Sequence, residues 1–107
     1  MESTFTTRVE SFADSVVVHV DGDIDLATSG RLSDDMSRLA ESGPNLVLDL
    51  TEVPFVDSVG ISALLATRSA VLDHGGSLAI RNPSSAVRRL LDLTGLAALL
   101  MESTQHD

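Results

Sequence analysis

Apolar residues along this chain change their spacing several times, and each change marks an element. Residues 4 to 10 alternate weakly around Phe5 and Val9, and Val16-Val17-Val18-His19-Val20 is a β-branched run. With Ala13-Asp14-Ser15 as turn material between them, the two stretches predict a β-hairpin. Gly22-Asp23-Ile24-Asp25 reads as a loop, after which Leu32, Met36 and Leu39 recur at helical spacing with Arg31, Asp34, Asp35 and Arg38 on other faces. Ser42-Gly43-Pro44 is a stop signal for that helix. Leu46-Val47-Leu48-Asp49-Leu50 is apolar at nearly every position, as in a strand with neighbours on both sides. Periodicity alone leaves a buried helical turn open, and the shortness of the run between Pro44 and Pro54 favours the strand.

Phe55-Val56-Asp57-Ser58-Val59-Gly60 then breaks into Asp-Ser-X-Gly where a second helical pattern begins with Ile61, Leu64, Leu65 and Leu72. That helix is predicted to run to Asp73-His74 and to stop at Gly75-Gly76. Ser77-Leu78-Ala79-Ile80-Arg81 reads as a further strand, and Asn82-Pro83-Ser84-Ser85 opens a helix with Val87, Leu90, Leu91 and Thr94 on one stripe, closed by Gly95. Residues 102 to 107 read as a short frayed tail. Strands alternating with helices imply an α/β fold: a mixed, mainly parallel sheet of four to five strands, an antiparallel edge hairpin, and helices packed against it.

Sites in such folds gather where strands end. Asp23 and Asp25 follow one predicted strand and Asp57 and Ser58 follow another, so the two loops are expected to meet. Ser58 falls at the mouth of a helix, where the first N–H groups lack intrahelical partners and the peptide dipoles leave partial positive charge. There its hydroxyl is expected to cap the helix, and a phosphate carried on it would be well placed.

Charge and missing residue types narrow the chemistry. At 107 residues and 43% hydrophobic, the chain is expected to form a single domain over residues 1–107 with one site at most. Cysteine is absent, so there is no disulfide, catalytic thiolate or thiolate metal site. All seven basic residues are arginines, which excludes a Walker phosphate loop and a Schiff base, since each needs a lysine. A net charge of −9 argues against nucleic acid or anionic membrane and for a partner with a basic face. No apolar run is long enough to span a bilayer, and Met1-Glu2-Ser3-Thr4 lacks the features of a signal peptide, so the expected location is the cytoplasm. No cofactor or metal is implied, and the three histidines are scattered.

Three blocks together resemble a known family. They are Val20-Asp21-Gly22-Asp23-Ile24-Asp25; Leu48-Asp49-Leu50 through Phe55-Val56-Asp57-Ser58-Val59-Gly60-Ile61; and Ser85-Ala86-Val87-Arg88-Arg89-Leu90-Leu91-Asp92-Leu93-Thr94-Gly95-Leu96. In order and spacing, over residues 14 to 101, the chain resembles STAS domains, in particular the bacterial anti-sigma factor antagonists. The resemblance implies a binding module, not an enzyme. Its unphosphorylated form would bind an anti-sigma factor that is also an ATP-dependent serine kinase, freeing a sigma factor for transcription. Phosphorylation of Ser58 would end that binding, and a PP2C-type phosphatase would reset it. The implied contact residues are Asp23, Asp25, Asp57, Ser58, Val59 and Gly60.

Two departures stand out. Many members carry a second hydroxyl before the glycine, where this chain has Val59. Members often end with another helix, whereas this chain stops at Gln105-His106-Asp107, which puts the packing behind residues 96 to 101 in question, and with it any partner contact made by a final helix.

Each residue also has a plainer use. Asp57 either orients the serine proton or shapes the turn; Gly60 either admits a partner's backbone or relieves crowding; Asp25 contacts a partner or caps the following helix, with Thr28 or Ser29 sharing that role. Arg88 and Arg89 read as a solvated edge, and His74 as serving a helix C-terminus. A hydrolase using Ser58 as nucleophile is disfavoured, because a nucleophile elbow needs glycine where Val56 stands and no histidine lies in a triad context. A STAS module that binds a small ligand or a transport or stress-complex partner without phosphorylation is the alternative the resemblance leaves open. The strand near residues 4 to 10 is an expected sheet edge, which leaves room for a homodimer.

Overall fold

The computed structural model describes residues 5–101. In chain order the elements are β1 (Thr6–Ser11), β2 (Val16–Asp21), α1 (Ser29–Ala40), β3 (Asn45–Glu52), α2 (Ser58–Asp73), β4 (Ser77–Arg81), α3 (Ser85–Thr94) and α4 (Ala97–Leu100). The strands form one four-stranded sheet in the order β1-β2-β3-β4. The β1–β2 pair is antiparallel, and the β2–β3 and β3–β4 pairs are parallel. This is the mixed sheet with an edge hairpin that the sequence predicts, and the strand around Leu48 is an inner one. The predicted tail, residues 102 to 107, lies outside the described residues, as do residues 1 to 4.

Alternation within the strands decides where the core sits. Leu46, Leu48 and Leu50 of β3 point to one face with Leu78 and Ile80 of β4 and Val18 and Val20 of β2. Against that face lie Leu32, Met36 and Ala40 of α1, Leu64 and Val71 of α2, Val87 and Leu91 of α3, and Leu100 of α4, all in one continuous cluster. The helices therefore cover a single face. The intervening strand residues line the other one: Arg8 and Glu10, Val17 and His19, Val47 and Asp49, Ala79 and Arg81. Across it runs a ladder of polar contacts in which His19 Nε2 lies 2.6 Å from Glu10 Oε1 and His19 Nδ1 lies 3.5 Å from Asp49 Oδ2. Arg81 Nη2 completes it, 3.4 Å from the same Asp49 oxygen.

Helix ends follow the predicted signals. Ser84 caps α3 by accepting from the Val87 N–H at 3.3 Å, and Gly95 ends the helix with φ of 74°, a left-handed conformation that glycine adopts without steric cost. His74 closes α2, its Nδ1 lying 2.9 Å from the Ala70 carbonyl oxygen. The question over residues 96 to 101 is resolved by α4: Leu100 is fully buried in the core, and Met101 forms a parallel bridge with Ile80 along the outer side of β4. Leu96 and Ala97 pack on the same core, so one helical turn closes the fold there.

Candidate functional site

The loops after β2 and β3 are joined by backbone pairing. The Gly22 N–H donates to the Glu52 carbonyl at 3.0 Å, Ile24 N–H to Phe55 O at 3.0 Å, and Asp57 N–H to Ile24 O at 3.2 Å. Ile24 and Val56, both buried, sit opposite each other in a parallel bridge. The expected meeting of the Asp23/Asp25 loop with the Asp57/Ser58 loop is thus a short extension of the β2–β3 pairing. An apolar pair beneath it sends the polar residues to the surface.

At the mouth of α2 the structure corrects one expectation. Ser58 is not the cap. Asp57 holds that position, with extended backbone (φ −98°, ψ −174°), and its Oδ1 accepts from the Gly60 N–H at 2.8 Å. A capping side chain must precede the first helical residue so that it can turn back onto the N–H groups, and Ser58 is already inside the first turn. The consequence favours modification: Ser58 is exposed and, among the described residues, its hydroxyl carries no hydrogen bond. Of the two roles open to Asp57, the structure shows the one that shapes the turn.

Of the two uses open to Gly60, the structure shows the relief of crowding. Expected among the contact residues, it is buried. A Cβ built on it would stand 2.2 Å from the Ile24 carbonyl oxygen and 2.9 Å from Val56 Cγ1. Gly60 therefore lets the opposite loop approach the helix, and no partner can reach it without displacing that loop.

Asp25 is bound into its own loop. Its Oδ1 accepts from Ala27 N–H at 3.0 Å and from Thr28 N–H at 3.2 Å, while the Asp25 N–H donates to Thr28 Oγ1 at 3.0 Å. The Thr28 hydroxyl donates in turn to the Asp23 carbonyl at 2.7 Å. Thr28 occupies the cap position of α1 without a side-chain capping bond, so Asp25 and Thr28, two of the expected caps, serve the preceding turn instead, and Ser29 is the first helical residue. Asp23 itself is exposed.

Of the apolar part of this surface, sequence reasoning named Val59 and missed Leu26 and Phe55. Leu26 is 76% exposed, Phe55 49% and Val59 38%, all on the two joined loops or the first turn of α2. Phe55 looks like the end of an apolar strand in the sequence, and Leu26 stands alone in a polar loop. Nothing in periodicity marks either as a surface anchor. Solvent-facing apolar side chains beside an acidic rim suit a protein interface better than a small-molecule cleft.

No histidine supports a nucleophilic serine among the described residues. His19 is on the uncovered sheet face, and His74 is at the opposite end of α2, about 24 Å away at 1.5 Å per residue. His106 lies outside the described residues. No group of three or more metal-binding side chains occurs among the described residues, and no helix there is long and apolar enough to cross a membrane.

Comparison with known proteins agrees with this geometry. The STAS domain family model matches residues 6–107. The chain belongs to the STAS-domain family. The anti-sigma-B factor antagonist of Bacillus subtilis is 33% identical over 99 residues, covering 92% of this chain and 91% of that protein. A crystal structure of an anti-sigma factor antagonist from Mycobacterium paratuberculosis superposes with a TM-score of 0.78 at 33% identity, over 94% of this chain and 88% of that one. The anti-sigma factor antagonist SpoIIAA in its unphosphorylated form has the same fold, with a TM-score of 0.75 at 21% identity over 94% of this STAS domain and 90% of that chain.

Proposed function

We propose that this STAS domain is an anti-sigma factor antagonist whose docking surface is switched by phosphorylation of Ser58. In the unmodified state the exposed loops dock on an anti-sigma factor and so release a sigma factor. An ATP-dependent serine kinase activity of that partner phosphorylates Ser58 and ends the docking, and a PP2C-type phosphatase reverses it in the cytoplasm. The observation that carries the reading is an exposed serine hydroxyl in the first turn of a helix whose cap is supplied by the residue before it. Names of relatives that are antagonists of anti-sigma factors support it.

Roles divide by geometry. Ser58 is the acceptor; Leu26, Phe55 and Val59 supply apolar contact, and Asp23 supplies charge for a basic face on the partner. Asp25, Asp57 and Gly60 hold the two loops in place. The base and magnesium for phosphoryl transfer belong to the kinase, since this chain carries no nucleotide loop.

Phosphate would add about −1.5 to −2 charge beside the first-turn N–H groups of α2, which favours a folded modified form. For a doubly charged phosphate ~8 Å from one acid on the partner, an effective dielectric of ~20 to 40 gives roughly 2 to 4 kcal/mol of repulsion. Since ~1.4 kcal/mol is tenfold in affinity, one such acid set within the partner's otherwise basic face and facing Ser58 is enough for phosphate to undo binding without refolding.

The deciding experiment incubates wild type and Ser58→Ala with the cognate kinase and ATP and measures intact mass. Wild type is expected to gain one phosphoryl group and to leave the partner. Ser58→Ala is expected to gain none and to stay bound with or without ATP. Equal incorporation into both proteins would reject the site.

A further inference from the structure

The outer edge of β1 pairs with nothing among the described residues, and its sequence is complementary to itself. The hairpin turn sets which groups face outward. Phe12 N–H donates to the Ser15 carbonyl at 2.8 Å, and the register continues without a shift through Ser11↔Val16, Glu10↔Val17, Val9↔Val18, Arg8↔His19, Thr7↔Val20 and Thr6↔Asp21. In an antiparallel ladder, hydrogen-bonded and non-hydrogen-bonded pairs alternate. Counting from Phe12, residues 10, 8 and 6 bond to β2. The N–H and C=O groups of Ser11, Val9 and Thr7 are therefore directed away from the sheet.

A second strand that pairs with this edge must place its own N–H and C=O groups opposite those three residues. If it is β1 of another copy, running antiparallel, the registers that do so can centre on Thr7, on Arg8, on Val9, on Glu10 or on Ser11. Centring on Arg8 sets arginine against arginine, and centring on Glu10 sets glutamate against glutamate. Centring on Thr7 or Ser11 leaves much of the strand unpaired. Centring on Val9 puts Val9 against Val9 and Thr7 against Ser11. It also puts Arg8 of each copy opposite Glu10 of the other, on the sheet face that the helices leave uncovered. Opposite charges directly across an antiparallel pair attract, and like charges repel.

Both charged residues are available for this. Arg8 lies 3.8 Å from Glu10 of its own chain, too far for a hydrogen bond, and its side chain is 68% exposed. Glu10 uses Oε1 for that contact and for His19, which leaves Oε2 without a contact among the described residues. Val9 is 47% exposed, over a groove of about 230 Å³ lined by Thr7, Val9, Asp35, Arg38 and Leu39.

We propose that two copies of this chain associate through antiparallel β1–β1 pairing centred on Val9, giving a continuous eight-stranded sheet with a twofold axis. The pairing closes on itself. The far edge of the sheet, β4, is bridged by Met101 at Ile80, so among the described residues β1 is the edge strand with no bridge on its outer side, and an isologous pairing through it stops at a dimer. No residue of the Ser58 turn lies on β1, so the dimer stands or falls apart from the phosphorylation reading.

Sedimentation of the full chain over a concentration series up to ~1 mM tests this. Wild type is expected to show a monomer–dimer equilibrium. Arg8→Glu and Glu10→Arg each create two like-charge pairs per dimer and are expected to weaken it about tenfold or more. Mixing the two single variants, or combining both changes in one chain, restores opposite charges and is expected to restore wild-type affinity. Val9→Pro removes an outward N–H while sparing the β2 ladder, and is expected to abolish the dimer with circular dichroism unchanged. A chain that stays monomeric throughout would overturn the proposal. So would a dimer indifferent to Val9→Pro, or one that the combined charge exchange weakens as much as either single change.

Discussion

A hydroxyl can serve as a switch only if its neighbours do the structural work. Here Asp57 supplies the cap and Gly60 supplies the clearance, so Ser58 is free to carry a charge. Gly60 offers the sharpest test of that division. On helix propensity alone, Gly60→Ala should stabilise α2 by about 1 kcal/mol. The added methyl, however, would meet a backbone carbonyl at 2.2 Å, and that oxygen belongs to Ile24, which is pinned by pairing to both Phe55 and Asp57. Overpacking of this kind costs about 1 to 3 kcal/mol and shifts backbone. We expect the steric effect to win, lowering the unfolding free energy measured in urea by up to ~2 kcal/mol net and slowing the proposed phosphorylation of Ser58 as the two loops part. A more stable Gly60→Ala protein with unchanged modification would show that the loop contact is dispensable.

Elements of this domain are individually weak and become firm through shared burial, and α4 is the extreme case. A single turn of four residues cannot persist alone, because helix nucleation is unfavourable. Leu100 anchors it by full burial, and Met101 ties the following backbone to β4. Leu100→Ala is expected to cost about 2 to 4 kcal/mol in urea unfolding, as for other large-to-small core changes, whereas Leu99→Ala, at an exposed neighbouring position, should stay within ~0.5 kcal/mol. Equal effects would mean that α4 does not close the core.

The same element shows what the sequence could reveal. The hairpin, β3, β4 and the three longer helices were legible because each repeats its spacing over at least one full period and is bounded by glycine, proline or serine. One turn of α4 is too short to show a period. The site was legible in its loops, since Asp-Ser-X-Gly after an apolar run fixes a helix start to within one residue. That one residue decided whether Ser58 or Asp57 caps, and only backbone angles settle it. Leu26 and Phe55 were hidden because exposure of an apolar side chain is a tertiary property.

At the scale of the whole molecule, the helices cover one sheet face, and on the other the long polar side chains of Glu10, His19, Asp49 and Arg81 flank Val17, Val47 and Ala79, so the domain relies on a polar ladder where most α/β sheets have a second helical layer. Asp49 is the centre of that ladder, with a side chain only 12% exposed. Burial by itself would raise its carboxyl pKa. Hydrogen bonds from the Thr51 hydroxyl and N–H, together with Arg81, outweigh burial and hold it below the usual carboxylate range. A depressed folded-state pKa means that the unfolded chain binds the proton more readily. The stability it contributes is thus complete above the unfolded value of about 3.9 and is lost as pH falls through the lower folded value. Acid also relieves self-repulsion in a chain of net charge −9, which acts in the opposite direction. That global effect is nearly equal in wild type and Asp49→Asn and cancels in their difference. We therefore expect Asp49→Asn to be about 1 to 2 kcal/mol less stable than wild type at pH 7, with the gap closing below about pH 4. Urea unfolding of both proteins across that range measures it, and a gap independent of pH would show that the ladder is held by shape and not by the ionised carboxylate.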